Sequence, residues 1–91
     1  MLADHEVIRK HIDEGRADEA IRLADSSLSL CPEDPILHYL KGQAYMKKGD
    51  WQHATNCFLQ SENYDPQGPA AQTRQMISDI MAFYNKDMFN Q

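Results

Sequence analysis

Apolar side chains recur along the chain at intervals of three and four, not in the alternation of a strand. Val7, Ile8 and Ile12 form a first set, and Ala20, Ile21, Ala24 and Leu28, with Ser27, a second. Leu37, Leu40, Ala44 and Tyr45 form a third, and Ala54 and Phe58, with Ser61, a fourth. Each set lies along one side of a helix. The pattern predicts five helices, near residues 4–14, 18–30, 36–48, 52–64 and 70–88. The connections between them are short, which makes successive helices antiparallel neighbours. The expected class is all-α, a solenoid of antiparallel helix pairs in a single domain.

A period of 34 residues underlies this order. It aligns Gly15 with Gly49, Ala20 with Ala54, Ser27 with Ser61, Pro32 with Pro66 and Pro35 with Pro69. The coincidences are few, but they fall on the residue types that geometry constrains hardest. Gly15 and Gly49 each follow one amphipathic stretch and precede another, so each can supply the left-handed conformation that ends a helix. Pro32 and Pro66 lie where a helix must stop, and Pro35 and Pro69 where a first turn tolerates proline. The alanines and serines fall inside the second helix of each unit, where a small side chain lets a neighbour approach. The expected division is one unit over 1–34, a second over 35–68, and a C-terminal capping helix over 69–91.

Gly42-Gln43-Ala44-Tyr45, Gly49-Asp50-Trp51, Ala54, Phe58, Ser61 and Tyr64-Asp65-Pro66 resemble the tetratricopeptide repeat. The first unit is more degenerate: it keeps Gly15, Ala20, Ser27 and Pro32 but has Ile8 and His11 where the second has Gly42 and Tyr45. The resemblance implies a right-handed superhelix and a non-enzymatic interaction scaffold. In such proteins the first helices of successive repeats line a concave groove that receives a peptide or helix. Carried onto this chain, it puts Leu2, His5, Glu6, Arg9, Ile12 and Asp13 on the groove side of helix one. Ile36, Tyr39, Leu40, Gln43, Met46 and Lys47 follow from helix three. Tyr39, Leu40, Gln43, Met46 and Lys47 also recur at helical spacing, so they share a face. The expected binding set is His5, Arg9, Tyr39, Leu40, Gln43, Met46, Lys47 and Arg74. Tyr39, Leu40 and Met46 offer apolar contact, and the polar members fix orientation. One subset of the family grips a C-terminal carboxylate with a lysine, asparagine and arginine cluster. At those positions this chain has His5, Arg9, Leu40, Ala70 and Arg74, of which only Arg74 fits.

The last helix reads out of phase. Helix three is expected to bury His38, Lys41, Gly42 and Tyr45. Thirty-four residues on stand Gln72, Gln75, Met76 and Asp79, only one of them apolar. One residue further stand Thr73, Met76, Ile77 and Ile80, a far more apolar set. The cap helix is therefore expected to turn by about one residue, near 100°. Its stripe of Met76, Ile77, Ile80, Met81, Phe83, Tyr84 and Met88 spans roughly 160°, wider than a surface helix needs. Two repeats also fall below the three or so such arrays usually require. Two alternatives to simple capping follow. The helix can fold across part of the groove, or it can make a homodimer through Ile77, Ile80, Met81, Phe83, Tyr84 and Met88.

Charge and composition narrow the functional classes. The net charge of −5 disfavours nucleic acid, whose phosphates need a basic face. The excess is local: residues 1–34 hold nine acids against four bases. No apolar run approaches the roughly 20 residues of a membrane span. The N-terminus has no basic, apolar signal pattern, and Cys31 and Cys57 lack a paired spacing, so a cytoplasmic protein with reduced thiols is expected. His5, His11, His38 and His53 show no metal-ligand spacing, and no phosphate loop or nucleophile elbow occurs. Asp18, Glu19, Glu33 and Asp34 lie at or before helix N-termini, where the macrodipole favours acids. The expectation is no catalytic residue, no metal and no cofactor, with a protein or peptide as partner.

Overall fold

A computed structural model describes residues 5–89, with side chains described as far as residue 83. It has five helices: α1 His5–Asp13, α2 Ala17–Leu30, α3 Pro35–Lys47, α4 Trp51–Tyr64 and α5 Ala70–Phe89. Among the described residues there is no strand.

The turns explain why the helices stop where they do. Gly15 takes φ +81° and Gly49 φ +78°, the left-handed region that a side chain disfavours. Around Gly15, the Gly15 N–H donates to Ile12 O at 3.1 Å and the Arg16 N–H to His11 O at 2.8 Å. Thirty-four residues later the Gly49 N–H donates to Met46 O and the Asp50 N–H to Tyr45 O, both at 3.0 Å. This is the Schellman arrangement, in which a left-handed residue lets the chain satisfy the last carbonyls and reverse. The ends of α2 and α4 correspond in the same way. The Cys31 N–H donates to Ser27 O, and the Asp65 N–H to Ser61 O, each at 2.9 Å.

The starts of α3 and α4 are capped by aspartates. The Asp34 carboxylate accepts from Ile36 N–H at 2.9 Å and Leu37 N–H at 3.4 Å, with Pro35 preset in the first turn. Asp50 accepts from His53 N–H at 3.2 Å and opens α4. The His53 backbone N–H foremost, with the His53 imidazole, holds the Asp50 carboxyl below its usual range. Asp18 and Glu19 stand in the first turn of α2, where the macrodipole is positive.

Two apolar cores hold the helices together. The first joins Ile8 and Ile12 of α1, Ala17, Ala20 and Ala24 of α2, and Leu37, Leu40 and Ala44 of α3. The second joins Ala54 and Phe58 of α4 to Ala70 and Ile77 of α5, with Tyr39, Met46 and Trp51 packed on it. Alanines of zero exposure at 20, 24, 44 and 54 let the helix axes approach. Ser61 is buried yet satisfied, because its Oγ donates to Pro35 O at 2.7 Å and ties α4 to the start of α3.

The inner face of α3 differs from the sequence expectation. His38, Lys41 and Tyr45 are half-buried, and the residues sealed from water are Leu37, Leu40, Gly42 and Ala44. The helix has two packed sides. Leu37, Leu40 and Ala44 enter the first core, while Gly42 receives the Phe58 ring of α4. The half-buried residues form a row at the seams. His38 stacks on Tyr64, Tyr45 stacks on His53, and Lys41 pairs with Asp25 of α2 at 2.7 Å.

The phase of α5 also differs in detail. Of the four residues expected inside, Ile77 is buried, Thr73 and Ile80 are half-buried, and Met76 is 47% exposed. Ala70 completes the buried set, with Met81 beside it. The useful reference is the face α3 turns to the first core, Leu37, Leu40 and Ala44. Its counterparts are Ala71, Arg74 and Ser78, of which Ser78 is exposed and the other two half-buried. Thus α5 buries residues one position earlier than that register. Met76 is the counterpart of Gly42, and no described helix follows α5 to cover it.

Candidate partner-binding face

One side of α3 runs as a ridge through Ile36, Tyr39, Gln43, Met46 and Lys47, residues spaced by three, four, three and one. Two hollows lie along it. The first, of about 310 Å³, is lined by Arg9 of α1, Pro35, Ile36 and Tyr39 of α3, Ser61 and Asp65 of α4 and its end, and Pro69. The second, of about 400 Å³, is lined by Ile12 and Asp13 of α1 and Gln43, Met46 and Lys47 of α3. The ridge takes ten helical steps from Ile36 to Met46, a span of roughly 15 Å at helical rise.

Tyr39 is the fixed element of this face. Its ring lies 5.4 Å from that of Phe58, tilted by 49°, and its hydroxyl stands 3.5 Å from Thr73 Oγ1 of α5. Tyrosine suits such a place, with an apolar body on the core and a polar tip at the surface. Gln43 and Met46 are half-buried and Lys47 is exposed, all three open to the second hollow.

Other sequence-derived site residues are placed differently. Leu40 has zero exposure and belongs to the first core, so it is not a groove residue. Its spacing from Tyr39 and Gln43 set it at the edge of the ridge, and the apolar surfaces of α1 and α2 draw it inward. Arg74 is directed at α4, where its Nε donates to Glu62 Oε2 at 2.7 Å, and it lines neither hollow. That hydrogen bond holds the Glu62 carboxyl below its usual range and raises Arg74 in turn. His5 is tied to Asp34 at 3.0 Å and lines neither hollow, whereas Arg9 borders the first while paired with Glu6. Leu2 lies outside the described residues.

Ser61, Asp65 and Pro69 are lining residues that helical spacing on the first helices did not reveal. They come from the end of α4 and the approach to α5. The proline period marked that junction as a turn, without indicating that the turn borders a hollow.

The dimer set divides as well. Ile77 is sealed between α4 and α5, so it is unavailable to a second molecule. Ile80 and Met81 are half-buried and Phe83 is 76% exposed. The side chains of Tyr84 and Met88 lie outside those described.

Two titratable groups away from this face are shifted by their surroundings. Burial alone would lower the Lys41 ammonium, but its hydrogen bond and ion pair with Asp25 prevail and hold it above its ordinary value. Burial pushes the Cys57 thiol up, away from a reactive thiolate. Among the described residues, no three His, Cys, Asp or Glu side chains are grouped to hold a metal ion.

A family model of the tetratricopeptide repeat matches residues 11–75. No curated protein matches the chain. The solution NMR structure of Bacteroides fragilis protein BF1650 is similar, with a TM-score of 0.87 and 38% identity. The likeness covers 97% of this chain and 90% of that one. Helical order, turn geometry and these two likenesses converge. The family is generally a non-enzymatic module for protein–protein interaction. The chain belongs to the tetratricopeptide repeat family.

Proposed function

We propose that this protein binds a segment of a partner protein along the face formed by α1 and α3. The observation that carries the reading is the pair of hollows joined by one ridge of α3. Ile36 and Tyr39 offer apolar surface to one end of the segment, and Ile12 and Met46 to the other. Gln43 and Arg9 supply hydrogen bonds between them. Methionine adapts to irregular partners, which suits a face of this kind. So short a groove sits at the low end of specific interfaces, so binding is expected to be weak.

The test is capture from a lysate of the source organism. Wild-type chain is compared with Ile36→Asp, Met46→Asp and, as a control away from the hollows, Leu30→Asp. Leu30 is 66% exposed and lines neither hollow. The same partner is expected with wild type and the control, and lost with both groove variants. Equal capture by all four proteins would refute the reading.

A second reading is favoured by one observation. Met76 and Phe83 of α5 are 47% and 76% exposed and continue the apolar stripe of Ile80. A homodimer through this side of α5 would cover them. Light scattering at high concentration decides it: a monomer that stays monomeric removes the dimer and leaves the groove reading standing.

A further inference from the structure

The hollow between α1 and α3 carries a charge on each side. Asp13 ends α1 and Lys47 ends α3, at corresponding positions 34 residues apart, and both are exposed. Six of the eight described lysines and arginines hold a carboxylate: Arg9, Arg16, Arg22, Lys41, Lys48 and Arg74. Lys47 holds none among the described residues, and Asp13 has no ion pair there either. The two therefore flank the same apolar floor, Ile12 and Met46, as opposite charges not engaged with each other. The Gln43 carboxamide lines the same hollow, half-buried and without a described hydrogen-bond partner.

Packed helices lie about 9 Å apart, and an extended chain advances about 3.3 Å per residue. Successive side chains of an extended chain alternate faces, so a segment crossing from α1 to α3 can present two charged groups four residues apart on one face, with an apolar side chain midway between them on that same face. We infer that this hollow selects an amphoteric segment, in which a basic residue facing Asp13 and an acidic residue facing Lys47 flank a large apolar side chain. The inference rests on the groove reading above and adds the partner's chemistry. The apolar side chain fills the space over Ile12 and Met46. Gln43 exchanges hydrogen bonds with the segment's backbone. The two charges set its placement, through complementarity that screens with salt.

Four peptides test this, each acetylated and amidated to remove terminal charge. Their cores are Lys-Ser-Leu-Ser-Glu, Glu-Ser-Leu-Ser-Glu, Lys-Ser-Leu-Ser-Lys and Gln-Ser-Leu-Ser-Gln, which set the two end groups and the leucine on one face of an extended chain. The readout is titration of the Met46 methyl resonance of the full chain. The amphoteric peptide is expected to bind tightest, by about two- to fivefold per matched charge over the neutral one. The preference should fade at about 0.5 M salt. Asp13→Lys should shift the preference to the doubly acidic peptide, and Lys47→Glu to the doubly basic one. If all four peptides shift Met46 with equal affinity, the charge inference falls while the groove reading survives. If the variants leave the ranking unchanged, it falls likewise. If no peptide moves Met46, the inference also falls, and the capture experiment alone then judges the groove.

Discussion

A side chain on Gly42 would occupy the place of Phe58: a Cβ built there lies 2.6 Å from ring atom Cε1 and 2.8 Å from Cδ1. Phe58 has zero exposure, so its ring has no solvent-side space to move into. The α3–α4 pair is therefore set by one missing methyl group. Gly42→Ala should lower stability even though alanine is the better helix former by about 1 kcal/mol. Overpacking of this kind typically costs about 1–3 kcal/mol. The expected result is a lower urea midpoint with an unchanged slope. A raised midpoint would mean that the ring repacks freely.

Gly49 tests a different mechanism. Nothing lies within 4 Å of a Cβ there, but φ is +78°. Gly49→Ala should cost about 1–2 kcal/mol through backbone strain alone. Gly49→Asn should cost less, because asparagine tolerates the left-handed region. Gly15, at φ +81° with the same open space, should show the same order. Thermal melts of the four variants check this, and equal losses for alanine and asparagine would contradict it.

These glycines were legible in the sequence because backbone geometry restricts residue type at single positions. Gly15 and Gly49 must be left-handed, and Gly42 must make room for a ring. The alanine and serine coincidences were legible for the same reason, since Ala20, Ala54, Ser27 and Ser61 are all buried. The facing of long side chains was harder to read. Leu40 satisfies the spacing of the groove ridge and of the core, and only the position of α1 and α2 decides between them. Arg74 could have reached the groove, but Glu62 on the adjoining helix holds it. For α5 the reference set misled, because His38, Lys41 and Tyr45 lie half-buried at the seams of α3, and a phase counted from them is not that of the face Leu37, Leu40 and Ala44 turn to the first core.

Leu40 and Lys47 separate packing from binding. Leu40→Ala leaves a cavity in the first core, with an expected loss of about 2–5 kcal/mol. Lys47 is exposed and holds no described carboxylate, so Lys47→Ala should stay within about 0.5 kcal/mol of wild type. Denaturant titration of both variants is the measurement. A small loss for Leu40→Ala would place that side chain outside the core.

The Glu62–Arg74 pair gives stability a defined pH dependence at the α4–α5 seam. Arg74 Nε donates at 2.7 Å and Nη2 at 3.3 Å, so the two groups meet as a fork on a carboxylate. The hydrogen bond depresses the Glu62 carboxyl below its usual 4.5. A depressed carboxylate contributes fully above its unfolded value, and that contribution is lost as pH falls towards the folded one. Stability from this pair should therefore be constant above about pH 5.5 and decline below about pH 4.5. Asp50 adds a decline of the same sign at lower pH, since its usual value is 3.8 and His53 depresses it further. Glu62→Gln removes only the first component. Its unfolding free energy, measured by urea titration from pH 6 to pH 3, should fall less steeply than that of wild type between pH 4.5 and 3.5. Both side chains keep more than a quarter of their exposure, so the difference between the two proteins should shrink in high salt. Parallel pH profiles would show that Arg74 does not hold the Glu62 carboxylate in solution.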